Sequence, residues 1–178
     1  MTTRNRAIAL LVIQCLLVSS IAAKYLYERV TRPRVWVRTA QYDPELPERG
    51  RYLALSPEVN VCRLTPVAQP NGVVAPYGIK DYRVRLVARD GKLVAEDARD
   101  VLPRSEFQSA GVSERIPCDR ARVWPAIEYF VPEHAKSPFP LKPGQELWVE
   151  VTVPPSGPPR PIQLALSENG KWQPLKFE

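Results

Sequence analysis

Histidine occurs once in this 178-residue chain, at position 134, which removes most Ser-His-Asp, Cys-His and multi-histidine metal schemes. No two His or Cys residues lie three or four apart, so no zinc-type spacing exists. The eight glycines form no cluster, which excludes a Gly-rich phosphate loop. Ser-x-x-Lys is also absent, and this weakens Ser/Lys hydrolase schemes. Nothing in the chain calls for a metal or another cofactor. What the chain has in quantity is proline: twenty of them, spread so that long helices are barred and short strands with stiff loops are favoured. Hydrophobic residues at 44% and charged residues at 25% are ordinary globular composition, which argues against a disordered chain.

The one long uncharged run is residues 7–23, which follows the basic tail 1–6 with Arg4 and Arg6. At about 1.5 Å per residue it covers ~25 Å as a helix, short of a ~30 Å hydrocarbon core. Extension through Tyr25, Leu26 and Tyr27 closes the gap, with Lys24 snorkelling and the tyrosines at the interface. Residues 7–27 therefore read as a single-pass anchor in contact with membrane lipid. A cleaved signal peptide is one alternative, because Ser20, Ala22 and Ala23 supply small residues near a cleavage point, and an ordinary buried helix is the other, though nothing downstream reads as a helical partner for it.

Orientation has two opposed signals. Lys24, Arg29, Arg32, Arg34 and Arg38 outnumber the basic residues before the run, and on that count alone the C-terminal part would be cytoplasmic. The signal-like order of the first 23 residues and an even pair of cysteines beyond the run, Cys62 and Cys118, favour export instead. A disulfide between those two is the expectation under export, and two buried free thiols are the alternative. The juxtamembrane arginines also offer a surface for anionic lipid head groups.

Residues 28–178 read as one β domain, an antiparallel sandwich or partly open barrel of seven to nine strands. Period-2 alternation puts Tyr82, Val84, Leu86 and Ala88 on one face and three arginines on the other, before Asp90-Gly91 turns the chain into a second strand. The pattern recurs in 146–153, with Leu147, Val149, Val151 and Val153 inward, and in Ile162, Leu164 and Leu166, before an Asn169-Gly170 turn. Further strands are expected at 34–40, at 51–62 with an interruption at Pro57, and at 121–131 up to Pro132. Residues 103–110 are expected to hold one helical turn, and the proline cluster 154–159 a rigid loop between strands.

Two segments are more specific than their neighbours. Asp43-Pro44 initiates a turn, and the stretch runs through Leu46, Arg49, Gly50 and Tyr52 to Leu55; later comes Tyr129-Phe130-Val131-Pro132-Glu133-His134. Together with the N-terminal run, these resemble the GDYXXLXY family of small bacterial membrane-anchored proteins, whose pattern is Asp-Pro, Leu, Arg-Gly-Asp-Tyr with Leu three residues on, and then Tyr-Phe-Val-Pro-Glu-Gly. Arg51 stands where the family has Asp, Pro57 where it has the last Tyr, and His134 where it has Gly. The resemblance implies an extracytoplasmic domain on a membrane anchor and brings no activity with it.

A candidate binding cleft follows if Arg49, Tyr52, Tyr129, Glu133 and His134 meet where two strand ends come together. The competing reading is that Gly50 and Pro132 set the backbone while the aromatics pack the core. Trp148, between Glu146 and Glu150, and Trp172 form a second candidate, an exposed apolar patch at a protein contact. Its acidic setting is wrong for nucleic acid, and no nucleic-acid partner is expected despite a net charge of +6. The functional expectation is binding to another envelope or membrane protein, as an accessory or assembly subunit. The alternatives are an envelope hydrolase or lyase using Glu133 or His134 with an arginine, and a lipid- or peptidoglycan-binding module.

Overall fold

The computed structural model describes residues 3–43, 52–67, 78–100, 107–133, 135 and 138–177. The chain divides into two units, Met1–Arg32 and Pro33–Glu178. The first is a single helix, α1 (Thr3–Thr31), whose apolar residues point in every direction rather than along one stripe; Leu11, Leu16 and Val18 are 59%, 64% and 68% exposed. A helix that is apolar all round has no polar face to turn to water, which is the pattern of a membrane span. It is long and apolar enough to cross a membrane.

Among the described residues, the second unit has ten antiparallel strands. They are β1 (Arg34–Asp43), β2 (Tyr52–Val59), β3 (Lys80–Arg89), β4 (Lys92–Asp97), β5 (Gln108–Val112), β6 (Ala121–Trp124), β7 (Ile127–Phe130), β8 (Gln145–Thr152), β9 (Arg160–Glu168) and β10 (Lys171–Pro174). Their hydrogen-bonded order is β10-β9-β8-β1-β2-β6-β5-β3-β4, with β7 as a second partner of β2. The sheet is not closed. It curls so that β4 comes back against β1 and β2, as expected of a sandwich or partly open barrel.

The inward side chains form two clusters. Val35, Val37, Leu53, Leu55, Ile127, Leu147, Val149, Val151 and Leu164 make the first; Val59, Val61, Tyr82, Val84, Leu86, Ala110 and Val123 make the second. Leu93 of β4 packs against both and joins them. Leu55, Leu147 and Leu164 are fully buried, and truncation of any one to Ala costs about 2–5 kcal/mol.

β2 is the strand shared by the two halves. Its first four residues pair with β7, Tyr52 to Phe130 through Leu55 to Ile127, while Glu58 and Val59 pair with β6. Pro57 lies between those ladders and does not interrupt the strand, contrary to the sequence expectation. Lacking an N–H, it can face Thr39 of β1 only as a non-hydrogen-bonded pair, so its backbone points to the side where β7 has ended and β6 has not begun. Pro161 is admitted to β9 in a similar way, beside the register shift opposite Glu150 and Val151.

Two further expectations are corrected. The stretch 121–131 is two strands, because Pro125 ends β6 and lets the chain move from the β5 side of β2 to the β7 ladder. The helical turn expected at 103–110 is replaced from Gln108 onward by β5, paired to both β3 and β6; residues 103–106 lie outside the described residues.

Candidate functional site

The five residues of the sequence-derived cleft have different fates. Arg49 and His134 lie outside the described residues. Tyr52 faces Phe130 across the β2–β7 ladder, and Tyr129 faces Leu53, one step along. Successive residues of a strand alternate faces, so Tyr52 and Tyr129 are on opposite sides of the sheet. Tyr129 packs on the first core cluster with its ring 5.8 Å from that of Phe177. Tyr52 sits on the outer face with its ring 6.4 Å from Phe130, which is 69% exposed. Glu133 is an exposed residue of the turn closed by the Ala135 N–H donating to the Pro132 carbonyl at 3.0 Å. The structure thus does not bring the two tyrosines into one cleft.

It does form a trough elsewhere, of about 610 Å³, on the outer face of β3, β5 and β6. Register defines its floor. Asp81, Gly111 and Arg122 make one row across the three strands, and Arg83, Ser109 and Trp124 make the next. The middle strand thus presents only Ser109 and Gly111, while long side chains stand on β3 and β6, about 10 Å apart at two strand spacings. An ideal Cβ on Gly111 would meet the Asp81 Oδ1 at 3.9 Å, which places that carboxylate over the middle strand. Val67, Ile79, Val112 and Ile116 make an apolar rim.

Both walls are tied down. One is residues 62–67, where the Val67 N–H donates to the Asp81 carbonyl at 2.7 Å. The other is 113–118, where Ser113 and Ile116 exchange backbone hydrogen bonds of 3.1 and 3.0 Å. A disulfide between Cys62 and Cys118, with Cα atoms 4.9 Å apart, joins the two, and the Val61 N–H donates to the Cys118 carbonyl at 2.8 Å.

The charges of this face are unequal. Glu58 stands opposite Arg122 in the β2–β6 ladder, but its carboxylate is taken by others. It accepts from Arg120 at 2.9 and 3.1 Å and pairs with the Arg38 Nε at 3.3 Å. The hydrogen bonds to Glu58 hold the Arg120 guanidinium above its ordinary pKa. Arg38 also pairs with Glu146 at 2.6 Å. Arg38 therefore belongs to the domain's own ion-pair network and leaves the group of juxtamembrane arginines considered for lipid contact.

Trp148 and Trp172 are together on the outer face, as the alternation of β8 and the Asn169-Gly170 hairpin imply, and Trp36 joins them. Trp172 lies 5.0 Å from Trp148 and 5.4 Å from Trp36 between ring centroids, and it is 47% exposed. The Trp148 indole N–H donates to Glu146 at 3.2 Å.

Sequence reasoning missed the trough. Its signal was the small outward pair Ser109 and Gly111, hidden because that segment reads as a helical turn when considered alone. Among the described residues, no group of three or more His, Cys, Asp or Glu is placed to hold a metal ion. Protein-family models, curated proteins and solved structures give no match to this chain.

Proposed function

We propose that this protein is a single-pass protein of a bacterial inner membrane whose β domain lies on the periplasmic or outer side. There it works by binding, as an accessory or assembly subunit of an envelope or membrane-protein complex. The observation that carries the reading is the Cys62–Cys118 disulfide, because such bonds persist in oxidising compartments and are rare in the cytosol. The apolar helix supports the anchor. The binding role is supported by a rigid sheet that keeps a trough and a tryptophan cluster on its outer face.

Thiol counting tests it. Cells are quenched in acid, denatured, and treated with a maleimide polymer before or after reduction. One label before reduction, on Cys15, and three after it is the expected result. Three labels without reduction would overturn the compartment and the reading with it.

A further inference from the structure

We propose that the trough over β5 is a binding site for a small organic monoanion, a carboxylate or sulfonate carried on an apolar body. This deepens the reading of the domain as a binder by naming the ligand class of one site. The volume, about 610 Å³, lies within the ~300–1,000 Å³ usual for small-molecule sites. Its shape comes from the absence of side-chain bulk on Ser109 and Gly111 between the taller flanks.

The charge follows from what the flanks do not pair with. Arg122 is exposed and has no hydrogen bond or ion pair among the described residues, since its register partner Glu58 is committed to Arg38 and Arg120. Arg83 stacks its guanidinium 5.1 Å from the centroid of the Phe107 ring and has no carboxylate partner among the described residues. Against these two cations stands one carboxylate, Asp81, so the trough is positive by one charge. Guanidinium forks donate two parallel hydrogen bonds to a carboxylate or sulfonate, and such charge-assisted bonds are about twice as strong as neutral ones.

The apolar body has its own place. Trp124 is 48% exposed and Ile79 38% exposed, and both line the trough with Val67, Val112 and Ile116. Apolar groups left open beside an unneutralised arginine match a ligand that is apolar at one end and anionic at the other. The disulfide and the backbone bonds of the two walls hold the site in shape before the ligand arrives, which lowers the ordering cost of binding.

The test uses the full chain in neutral detergent micelles with the disulfide intact. Naphthalene-2-carboxylate, hexanoate and the neutral naphthalene-2-methanol are titrated by calorimetry, with micelle-only heats subtracted. The expected result is sub-millimolar binding of at least one carboxylate and at least tenfold weaker binding of the alcohol. Arg122→Gln should weaken carboxylate binding about tenfold or more. Gly111→Leu should abolish it by filling the trough. Gly111→Ala should retain it, because the added Cβ makes only ordinary contacts at 3.9 Å. Circular dichroism establishes that each variant is folded.

Equal affinity for the alcohol and the carboxylate would overturn the proposal. So would carboxylate binding unchanged in both Arg122→Gln and Gly111→Leu, or no binding by the folded parent. These outcomes are separable from failure of the functional reading, since the thiol count decides the compartment with no ligand present.

Discussion

Cys62 and Cys118 join the segments 62–67 and 113–118, whose Val67, Ser113 and Ile116 line the trough. The bond closes a loop of 56 residues, for which the chain-entropy relation gives about 4 kcal/mol of stabilisation. Reduction, or Cys62→Ser with Cys118→Ser, should lower the urea midpoint by an amount equivalent to that energy. Unfolding followed by tryptophan fluorescence measures it. A midpoint unchanged by reductant would mean that the hydrogen bonds of Val61 and Val67 hold the walls unaided.

Glu58 is the hinge of the ion-pair network. Its side chain is only 6% exposed and serves both Arg38 and Arg120. Glu58→Gln leaves Arg38 its bond to Glu146 but strips Arg120 of its carboxylate, and should cost about 2–3 kcal/mol. Arg120→Gln should cost less in the Glu58→Gln background than in the parent chain, and a double-mutant cycle on urea midpoints reads that coupling.

Asp97 gives the domain a small acid-side dependence. Its carboxylate is hydrogen-bonded by the Arg99 side chain and by the Arg99 backbone N–H, which hold it below its ordinary pKa of 3.8. A carboxyl depressed on folding stabilises the folded state above its unfolded pKa, and that contribution fades as pH falls through the folded value. An NMR titration of the Asp97 side-chain carbon should therefore have its midpoint below 3.8, and Arg99→Gln should raise it. A midpoint at or above 3.8 in the parent would contradict the pairing.

Trp172 fastens an edge. Among the described residues β10 pairs only with β9 and its four residues are exposed, so the Trp172 ring against Trp36 and Trp148 adds a side-chain hold to that ladder. Each aromatic pair is worth about 0.5–1.5 kcal/mol beyond area burial. Trp172→Ala should speed amide hydrogen exchange along the β9–β10 ladder while leaving the β1–β8 ladder protected. Exchange rising uniformly across the sheet would mean that the cluster supports the whole domain.

How much of this is legible in the sequence depends on range. The β3–β4 and β9–β10 hairpins are local, and Asp90-Gly91 and Asn169-Gly170 both take the positive φ angles that their dipeptides favour. The alternation of β8 likewise places Leu147, Val149 and Val151 in the core and Glu146, Trp148 and Glu150 on the other face, while Thr152, expected outward, is buried. Pro125 and Pro57 are harder, because a proline's effect depends on whether its missing N–H faces a neighbouring strand. The candidate cleft turned on one register step, which separates Tyr52 from Tyr129 by the thickness of the sheet. The trough needs the order β3-β5-β6, a relation among segments far apart in the chain that no local pattern encodes.

Only two residues separate α1 from β1, and β1 is an interior strand, bonded to β2 on one side and β8 on the other. A tug on the helix is therefore delivered into the middle of the sheet. Drawing β1 out lengthwise requires two ladders to shear together, whereas an edge strand such as β10 could be unzipped bond by bond. The chain thus leaves α1 for the domain at a strand held from both sides, the arrangement that best resists extraction.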